Sequence, residues 1–483
     1  MSFAKNGYTN LVSTPLAPVF NDAANLVKFL SNQGSEVRAA VLRLTPQSVS
    51  FELCTPDNIL RLSEVLNEFK IFAGERPIYN GKAIVTNMVN AGTVMICETT
   101  LEKSLLDFNL FELDNPEKVL PPAFKDFICR WQKFYKILPE YKLVIADIQS
   151  LLHELRLWLD QLELGIIGLP ADERQTIERT LLQELPSTPI LQALFERFES
   201  VSRSIPEELL PAHRAFGQRQ LHPLLLCAPF VHRTYSKPLG FAGDYEMMNI
   251  IVRNGLEGKT LYAKLINAYL LGQVAPQAVR NRVGFLQDKI VDETSRVVRL
   301  GRTANVYCIA CGPAWEVQKF LKDSSLADHA HFRLLDFNDE TLLHTSAVIN
   351  GIQRKYNRKT SVKFVKDSVQ SLLKGAVKAA LNEPSYDLIY CSGLYDYLSD
   401  RVIKMLNTYL YDRLQPGGLL VVGNFAPNTP VRNFMEHFSE WFLIYRDGKQ
   451  LAALAPEQVS PTDCNVVSEL TGANIFLEVR KPE

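Results

Sequence analysis

The clearest pattern of apolar and polar residues along this chain lies in residues 304–483. Short apolar runs there are separated by segments such as GPAWEVQKFLKDS and DETLLHTSAVINGIQRKY, whose apolar residues recur every three or four positions. The strand-like runs are residues 304–310, 332–336, 362–366, 386–391, 418–424 and 475–480. Strands that alternate with helices in this way predict a doubly wound, mostly parallel α/β sheet.

Three further regions precede this sheet. Residues 1–112 contain stretches such as EVRAAVLRL, with many apolar residues at alternate positions, and predict a small all-β barrel or sandwich. Residues 113–220 are helical in pattern, and such helices could pack between domains or pair two copies of the chain as a homodimer. Residues 221–303 combine helices with the turn-rich KPLGFAGDYEMM, so we expect a lid over the sheet.

Composition and charge narrow the class of partner. The chain has 483 residues, of which 47% are hydrophobic and 22% charged, and its formal net charge is −1. These values are typical of a globular protein of two or three domains and do not favour nucleic acid or an anionic membrane as a partner. No apolar run reaches the ~18 residues of a membrane span, and the start lacks a secretory signal pattern. We therefore expect a cytoplasmic protein without integral membrane contact.

Eight cysteines are scattered along the chain, and two of them, Cys308 and Cys311, form a C-x-x-C. Neither a second pair nor suitably spaced histidines accompany them, as a zinc site would require. We therefore expect buried, reduced cysteines and no metal site.

Ligands of doubly wound sheets bind beyond the carboxyl ends of the strands, so the residues at those ends are the candidate site. The first end reads ACGPAWE, where Ala310, Gly312 and Pro313 would let the backbone approach a ligand closely. Asp336 ends the second strand, and a carboxylate there could accept hydrogen bonds from both hydroxyls of a ribose.

The later strand ends carry further polar side chains. Asp367 and Ser368 follow the third strand, where a carboxylate beside a backbone amide suits the edge of an adenine. Tyr395 and Asp396 follow the fourth strand, and Asn424 ends the fifth. Each aspartate that precedes a helix could equally be a helix N-cap.

This succession of strand ends resembles the class I S-adenosylmethionine-dependent methyltransferases. Their D/E-x-G-x-G-x-G turn corresponds here to the heptapeptide CIACGPA, from Cys308 to Ala314, which keeps one glycine. The resemblance implies a Rossmann-like sheet with S-adenosyl-L-methionine at Ala310, Gly312, Pro313, Asp336, Asp367 and Ser368. We expect the alanines to cost little, on the assumption that their φ angles are negative. Because Cys308 replaces the acidic residue, one contact to the methionyl end of the cofactor lacks its usual partner.

Four longer motifs resemble a bacterial methyltransferase group assigned to the biosynthesis of 3-hydroxypalmitic acid methyl ester, a diffusible signal. They read RTYSKPLGFAGDYEMMNII, AVRNR, SGLYDYLSD and NFAPNTPVRNFMEHFSEWFLIYR. The resemblance implies a fatty-acid carboxylate as the acceptor. A lid formed by the first motif would turn Asp244 and Tyr245 towards the cofactor. Of the two arginines in the second motif, we prefer Arg280 to Arg282 as the partner of the cofactor carboxylate or an acidic substrate, and expect a salt bridge for the other.

The reaction needs little from the protein if the acceptor is a carboxylate, because that nucleophile is ionised at neutral pH. A hydroxyl or amine acceptor would need a base, for which Asp396 is the candidate, or Asp396 could pair with an ammonium group. Tyr395 and Tyr397 could orient the acceptor, and Asn424 and Arg446 are further acceptor-side candidates. A cofactor-binding sensor or scaffold without turnover is an alternative. A nicotinamide oxidoreductase would need G-x-G-x-x-G after its first strand, which this chain lacks.

The amino-terminal region resembles, weakly, a degenerate PilZ domain, the receptor for cyclic di-GMP. Arg38 and Arg43 lie near the position of that family's arginine pair. The D/N-x-S-x-x-G turn that completes such a site is replaced by TPQSVSFEL. We therefore expect this region to act as a contact surface.

Overall fold

The computed structural model describes residues 26–483 with short gaps. The gaps are residues 31–35, 45–47, 54–59, 75, 91–94, 103–120, 122–123, 126–127, 130–131, 133–135, 185–188 and 376–384. Cys54 and the amino-terminal segment on which the cytoplasmic expectation depends lie outside the described residues.

Six antiparallel strands form a closed barrel near the amino-terminal end, in the order β1-β2-β3-β6-β5-β4. The strands are β1 (Leu26–Leu30), β2 (Glu36–Leu44), β3 (Ser48–Leu53), β4 (Val65–Ala73), β5 (Arg76–Asn90) and β6 (Met95–Leu101). Alternate side chains point inward, so that Phe29, Phe51 and Phe69 pack together in the barrel's core. This confirms the predicted all-β region. Arg38 and Arg43 lie on its exposed outer face, where Arg38 pairs with Glu36.

A layer of helices connects the barrel to the sheet. Its helices are α1 (Pro139–Ile166), α2 (Ala171–Glu184), α3 (Pro189–Arg203), α4 (Leu210–Leu225), α5 (Pro229–Ser236), α6 (Tyr245–Arg253), α7 (Leu261–Leu271) and α8 (Val274–Arg299). The buried residues of α1, among them Tyr141, Val144, Ile148 and Leu152, recur at helical spacing and form one apolar face. In the described part of the chain, no helix combines the length and apolar character that crossing a membrane would demand.

The carboxyl-terminal sheet has seven strands in the order β12-β13-β11-β10-β7-β8-β9. They are β7 (Ala304–Ile309), β8 (Ala330–Asp336), β9 (Ser361–Lys366), β10 (Tyr386–Cys391), β11 (Leu414–Phe425), β12 (Cys464–Ser468) and β13 (Asn474–Arg480). The accompanying helices are α9 (Trp315–Asp323), α10 (Asp339–Tyr356), α11 (Val369–Gly375), α12 (Asp400–Asp412), α13 (Arg432–Phe438) and α14 (Gly448–Ala452). Five neighbouring strands are parallel, whereas β13 runs antiparallel to both β11 and β12. The predicted α/β sheet is confirmed, and β12 is a strand that the apolar pattern did not indicate.

The barrel packs directly against the sheet domain. The backbone N–H of Val65, at the start of β4, donates to the carbonyl of Gly240 at 2.8 Å. The buried hydroxyl of Ser63 bonds both the N–H and the carbonyl of Phe442. The turn that precedes β4 is therefore held against the carboxyl edge of the sheet, where ligands of this fold bind.

Candidate active site

A cavity lies beyond the carboxyl ends of β7, β8 and β10, as the fold requires. Its walls come from the turn after β7, from α6 and α8, and from the barrel. The apolar part of the lining consists of Leu62, Phe241, Met248, Val252, Val279, Val283, Leu286, Phe337, Leu394, Phe425, Trp441 and Leu443. Charged groups are few and distributed around it, namely Arg61, Arg282, Glu316, Asp336 and Asp396.

The turn after β7 brings Ala310, Gly312 and Pro313 to the cavity wall. Ala310 and Ala314 have φ angles of 52° and 51°, in the left-handed region. The expectation that these alanines keep negative φ is therefore wrong, and each carries a conformational cost of roughly 1–2 kcal/mol. Gly312 has a φ of 51° and open space beside its Cα. The turn consequently leaves a cradle that a ligand can approach closely.

Asp336 ends β8 and holds this turn. One carboxylate oxygen accepts the N–H of Gly312 at 3.1 Å, and the other accepts the N–H of Asn338 at 3.0 Å. Burial raises the pKa of Asp336, while these backbone donors and the charge of Arg61 oppose the rise. Each oxygen keeps a second lone pair, so the carboxylate can still accept hydroxyl groups.

A buried arginine and a buried glutamate face the same cavity. Arg282, on α8, is 7% exposed, and its guanidinium donates to the sulfur of Met248 at 3.3 Å. Glu316, in the first turn of α9, accepts the Tyr390 hydroxyl at 2.8 Å, and burial raises its pKa. The charges of Arg282 and Glu316 act on each other, and such a pair suits the carboxylate and ammonium of an amino acid.

The structure places Arg282 at the cavity, and not the preferred Arg280. Arg280 lies outside the cavity, with its guanidinium bonded to Ile251 and Gln277. Arg282 lies on the buried face of α8 with Val279, Val283 and Leu286. Counted from Val279, the other three follow at three, four and seven residues. That helical periodicity was the signal in the sequence that identifies the cavity arginine.

Asp396 is one of two predicted acceptor-side residues that reach the cavity. It is 2% exposed, and its Oδ1 accepts the N–H of Phe425 at 2.7 Å. Burial raises its pKa to about 6, against the opposing effects of the Phe425 N–H and the charges of Arg282 and Arg446. Tyr397 also lines the cavity, and its hydroxyl oxygen accepts the indole N–H of Trp441 at 2.8 Å.

Tyr395 and Asn424 do not line the cavity, because both are used inside the protein. The Tyr395 hydroxyl donates to Asn407 at 2.6 Å in a fully buried position. The Asn424 amide donates to the carbonyls of Phe425 and Ile444 and accepts a hydrogen bond from Arg446. These contacts occupy the polar groups of both side chains inside the protein, and their contact with an acceptor stays a prediction.

Asp244 also lies outside the cavity. It caps α6 by accepting the N–H of Met247 at 2.8 Å, and it pairs with Arg233 through both oxygens. The neighbouring Tyr245 does line the cavity, with its hydroxyl bonded to Glu340. The first turn of this lid helix is thus oriented by an ion pair.

Asp367 and Ser368 lie at the same sheet edge without lining the cavity. The N–H of Asp367 donates to the carbonyl of Asp336 at 3.1 Å, so the two strand ends are adjacent. Ser368 caps α11 through the N–H of Ser371. Their contact with a cofactor stays a prediction.

Comparisons with known proteins found one family model and several solved structures. The model of a family described as “Putative methyltransferase” matches residues 238–449, which contain most of the cavity. No curated protein sequence matches the chain.

Solved structures match parts of the chain at low sequence identity and low TM-score. A possible exported protein from Bordetella parapertussis is 15% identical, with 65% of this chain and 100% of that chain covered and a TM-score of 0.39. A magnesium protoporphyrin IX methyltransferase from Synechocystis PCC 6803, with bound S-adenosylhomocysteine, is 14% identical over 44% of this chain and 89% of that chain, with a TM-score of 0.30. An N-methyltransferase from Bradyrhizobium japonicum, also bound to S-adenosylhomocysteine, is 15% identical over 40% and 87%, with a TM-score of 0.25.

Proposed function

We propose that this chain, an S-adenosylmethionine-dependent methyltransferase with its family-model match at residues 238–449, methylates the carboxylate of a fatty or hydroxy-fatty acid. The product is a methyl ester. S-adenosyl-L-methionine supplies an already activated methyl group. The protein therefore has to bind the donor and the acceptor, orient them, and exclude water from the site.

The residues of the cavity fit this donor. Asp336 offers free lone pairs to ribose hydroxyls, and the open cradle at Gly312 admits the ligand close to the backbone. Arg282 and Glu316 take the carboxylate and ammonium of the methionyl end, and Glu316 thereby replaces the acidic residue that Cys308 displaces. Asp367 at the neighbouring strand end is the proposed adenine contact.

One observation supports a carboxylate as the acceptor group. The cavity has a largely apolar wall and two arginines, Arg61 and Arg282, neither of which forms an ion pair with any described residue. An arginine that faces a largely apolar cavity wall without a direct ion pair can bind an anionic ligand. We propose that the donor carboxylate pairs with one arginine and the acceptor carboxylate with the other. The apolar chain of the acceptor would then lie along the apolar wall.

A second candidate acceptor is a hydroxyl or an amine. It is favoured by Asp396, whose pKa of about 6 and position on the cavity wall suit a base that removes a proton. The two candidates differ in the product, since an ester is cleaved by alkali whereas an ether or a methylamine is not.

The experiment incubates the full chain with methyl-labelled S-adenosylmethionine and 3-hydroxypalmitic acid, beside hexadecanol and hexadecylamine. We expect an alkali-labile labelled product from the acid alone. Product from the alcohol or amine alone would favour the second candidate. Binding of the donor, measured by calorimetry, without any turnover would favour the sensor or scaffold alternative, and absence of donor binding by the folded chain would overturn the assignment.

The proposal includes a cytoplasmic location and a homodimer formed through the helical layer. The side chains of Leu143, Leu157, Trp158 and Leu164 on α1 are exposed and suit contact with a second copy. Light scattering of the wild type and of a Trp158→Glu variant tests this, with a dimer that the variant weakens as the expected result.

A further inference from the structure

We propose that Arg61, a residue of the barrel region, binds the carboxylate of the acceptor, so that the barrel supplies part of the active site. This inference rests on the proposed function and extends it to the origin of acceptor specificity. Arg61 lies outside the family-model match, which begins at residue 238.

Arg61 lies over the cavity. With Leu62 it forms the part of the lining that the barrel contributes, and its guanidinium is 4.5 Å from the centroid of the Phe337 ring. Its charge lowers the pKa values of Asp336 and of Tyr397, both of which burial raises. Asp336 belongs to the donor side and Tyr397 follows the fourth strand end, so Arg61 lies where it can act on both.

The backbone that carries Arg61 is fixed by hydrogen bonds. The N–H of Arg61 donates to the Glu64 carboxylate at 2.8 Å, and the N–H of Ser63 donates to Val85 of β5 at 2.8 Å. Ser63 has a φ of 60°, a left-handed conformation that costs a non-glycine residue about 1–3 kcal/mol. Its hydroxyl bonds Phe442, between the cavity residues Trp441 and Leu443. A strained, bonded turn between two domains holds Arg61 in place.

The two cavity arginines have different surroundings. Arg282 is packed against Gly393, with 3.1 Å between its guanidinium and the position of an added Cβ, and the charges of Asp396 and Glu316 act on it. Arg61 makes a cation–π contact with Phe337, and its guanidinium forms no ion pair with a described residue. The acceptor carboxylate is proposed to supply that partner. Arg282 is therefore assigned to the donor and Arg61 to the acceptor.

The test compares Arg61→Gln, Arg61→Lys and the control Arg38→Gln in the full chain. Arg38 is exposed on the same barrel and pairs with Glu36, away from the cavity. We expect Arg61→Gln to raise the KM for 3-hydroxypalmitic acid about tenfold or more, as loss of a charge-assisted pair does, with a smaller change in kcat. Arg61→Lys restores part of the loss, whereas Arg38→Gln has no effect. Affinity for S-adenosylhomocysteine should fall less than affinity for the acceptor in both Arg61 variants, because Arg282 is intact and Arg61 acts on the donor side only through its charge on Asp336.

Binding measurements separate this inference from the proposed function. If the wild type makes no ester, the role of Arg61 can still be measured by binding. Calorimetry then compares the affinities for palmitate and for hexadecanol, with S-adenosylhomocysteine present. Preference for palmitate that Arg61→Gln abolishes supports the inference. An unchanged preference, equal loss of S-adenosylhomocysteine affinity, or no palmitate binding by the wild type overturns it. Circular dichroism and Tm establish that each variant is folded.

Discussion

At the scale of single residues, Asp336 has two tasks that a substitution can separate. Its oxygens hold the N–H groups of Gly312 and Asn338 and are proposed to accept the ribose hydroxyls. Asp336→Asn keeps the shape but loses the charge and an acceptor, so we expect donor affinity to fall by about 1.5–3 kcal/mol, roughly 10- to 150-fold. Calorimetry with S-adenosylhomocysteine measures this. Asp339→Asn, an exposed neighbour that pairs with Lys366, is the control and should leave the affinity unchanged.

Asp396 predicts a pH dependence whose sign distinguishes the acceptors. With its pKa near 6, Asp396 is ionised above that pH and then repels an acceptor carboxylate. For a fatty acid we therefore expect the KM to rise as pH increases through about 6, and Asp396→Asn to abolish that rise. A hydroxyl or amine acceptor gives the opposite trend, with kcat/KM falling below pH 6, because the base is then protonated. Initial rates between pH 5 and pH 8 decide between them.

The same carboxyl predicts a stability effect. Burial raises the pKa of Asp396 above its unfolded value, so the folded state binds the proton more tightly and stability decreases as pH rises from about 4 to about 6. Removing the charge with Asp396→Asn should stabilise the protein at pH 7 by about 1–3 kcal/mol, with the acceptor for the Phe425 N–H retained. Urea unfolding at pH 4 and pH 7 measures this, and a variant less stable than the wild type at pH 7 contradicts the expectation.

At the scale of elements, the turn after β7 stores conformational strain. Ala310 has a left-handed φ of 52°, so Ala310→Gly relieves strain that offsets the entropy glycine loses on folding. We expect the free energy of unfolding to stay constant or rise by up to about 1 kcal/mol. Ala193→Gly, at an exposed position inside α3, should instead lower it by about 1 kcal/mol. Equal losses in the two variants would show that the turn is unstrained.

Strand positions followed from the sequence because buried parallel strands are continuous apolar runs, as in β10 and β11. The direction of β13 did not follow, since an apolar run has the same composition in either orientation. β12 escaped detection because it is short and only half-buried. In the site, Asp336 and Asp396 were predictable as strand-end carboxylates. The buried hydrogen bonds of Asn424 were not predictable, because its partners are residue 425, residue 444 and Arg446, which meet it only in the folded chain.

At the scale of the whole molecule, the site extends across regions far apart in sequence. Arg61 and Phe337 are separated by 276 positions, yet the Arg61 guanidinium lies 4.5 Å from the centroid of the Phe337 ring. No local pattern reports such a pair, because the turn before β4 carries no motif and its position depends on how the barrel docks. The amino-terminal region was expected to act as a contact surface, and in the structure it bonds Gly240 and Phe442, which lie beside cavity residues.

Docking of the barrel therefore predicts the behaviour of Ser63→Ala. The variant leaves the buried N–H and carbonyl of Phe442 without their partner, which should cost about 1–3 kcal/mol. Because Phe442 lies between Trp441 and Leu443, we expect a lower Tm, faster hydrogen exchange at residues 441–443 and a higher KM for the acceptor. Affinity for S-adenosylhomocysteine should change little, since Asp336 and Arg282 lie outside this contact. Ser50→Ala, within the same barrel on β3, is the control. If both variants lower the Tm equally and neither changes the KM, the barrel is a separate module and the acceptor site lies within the sheet domain alone.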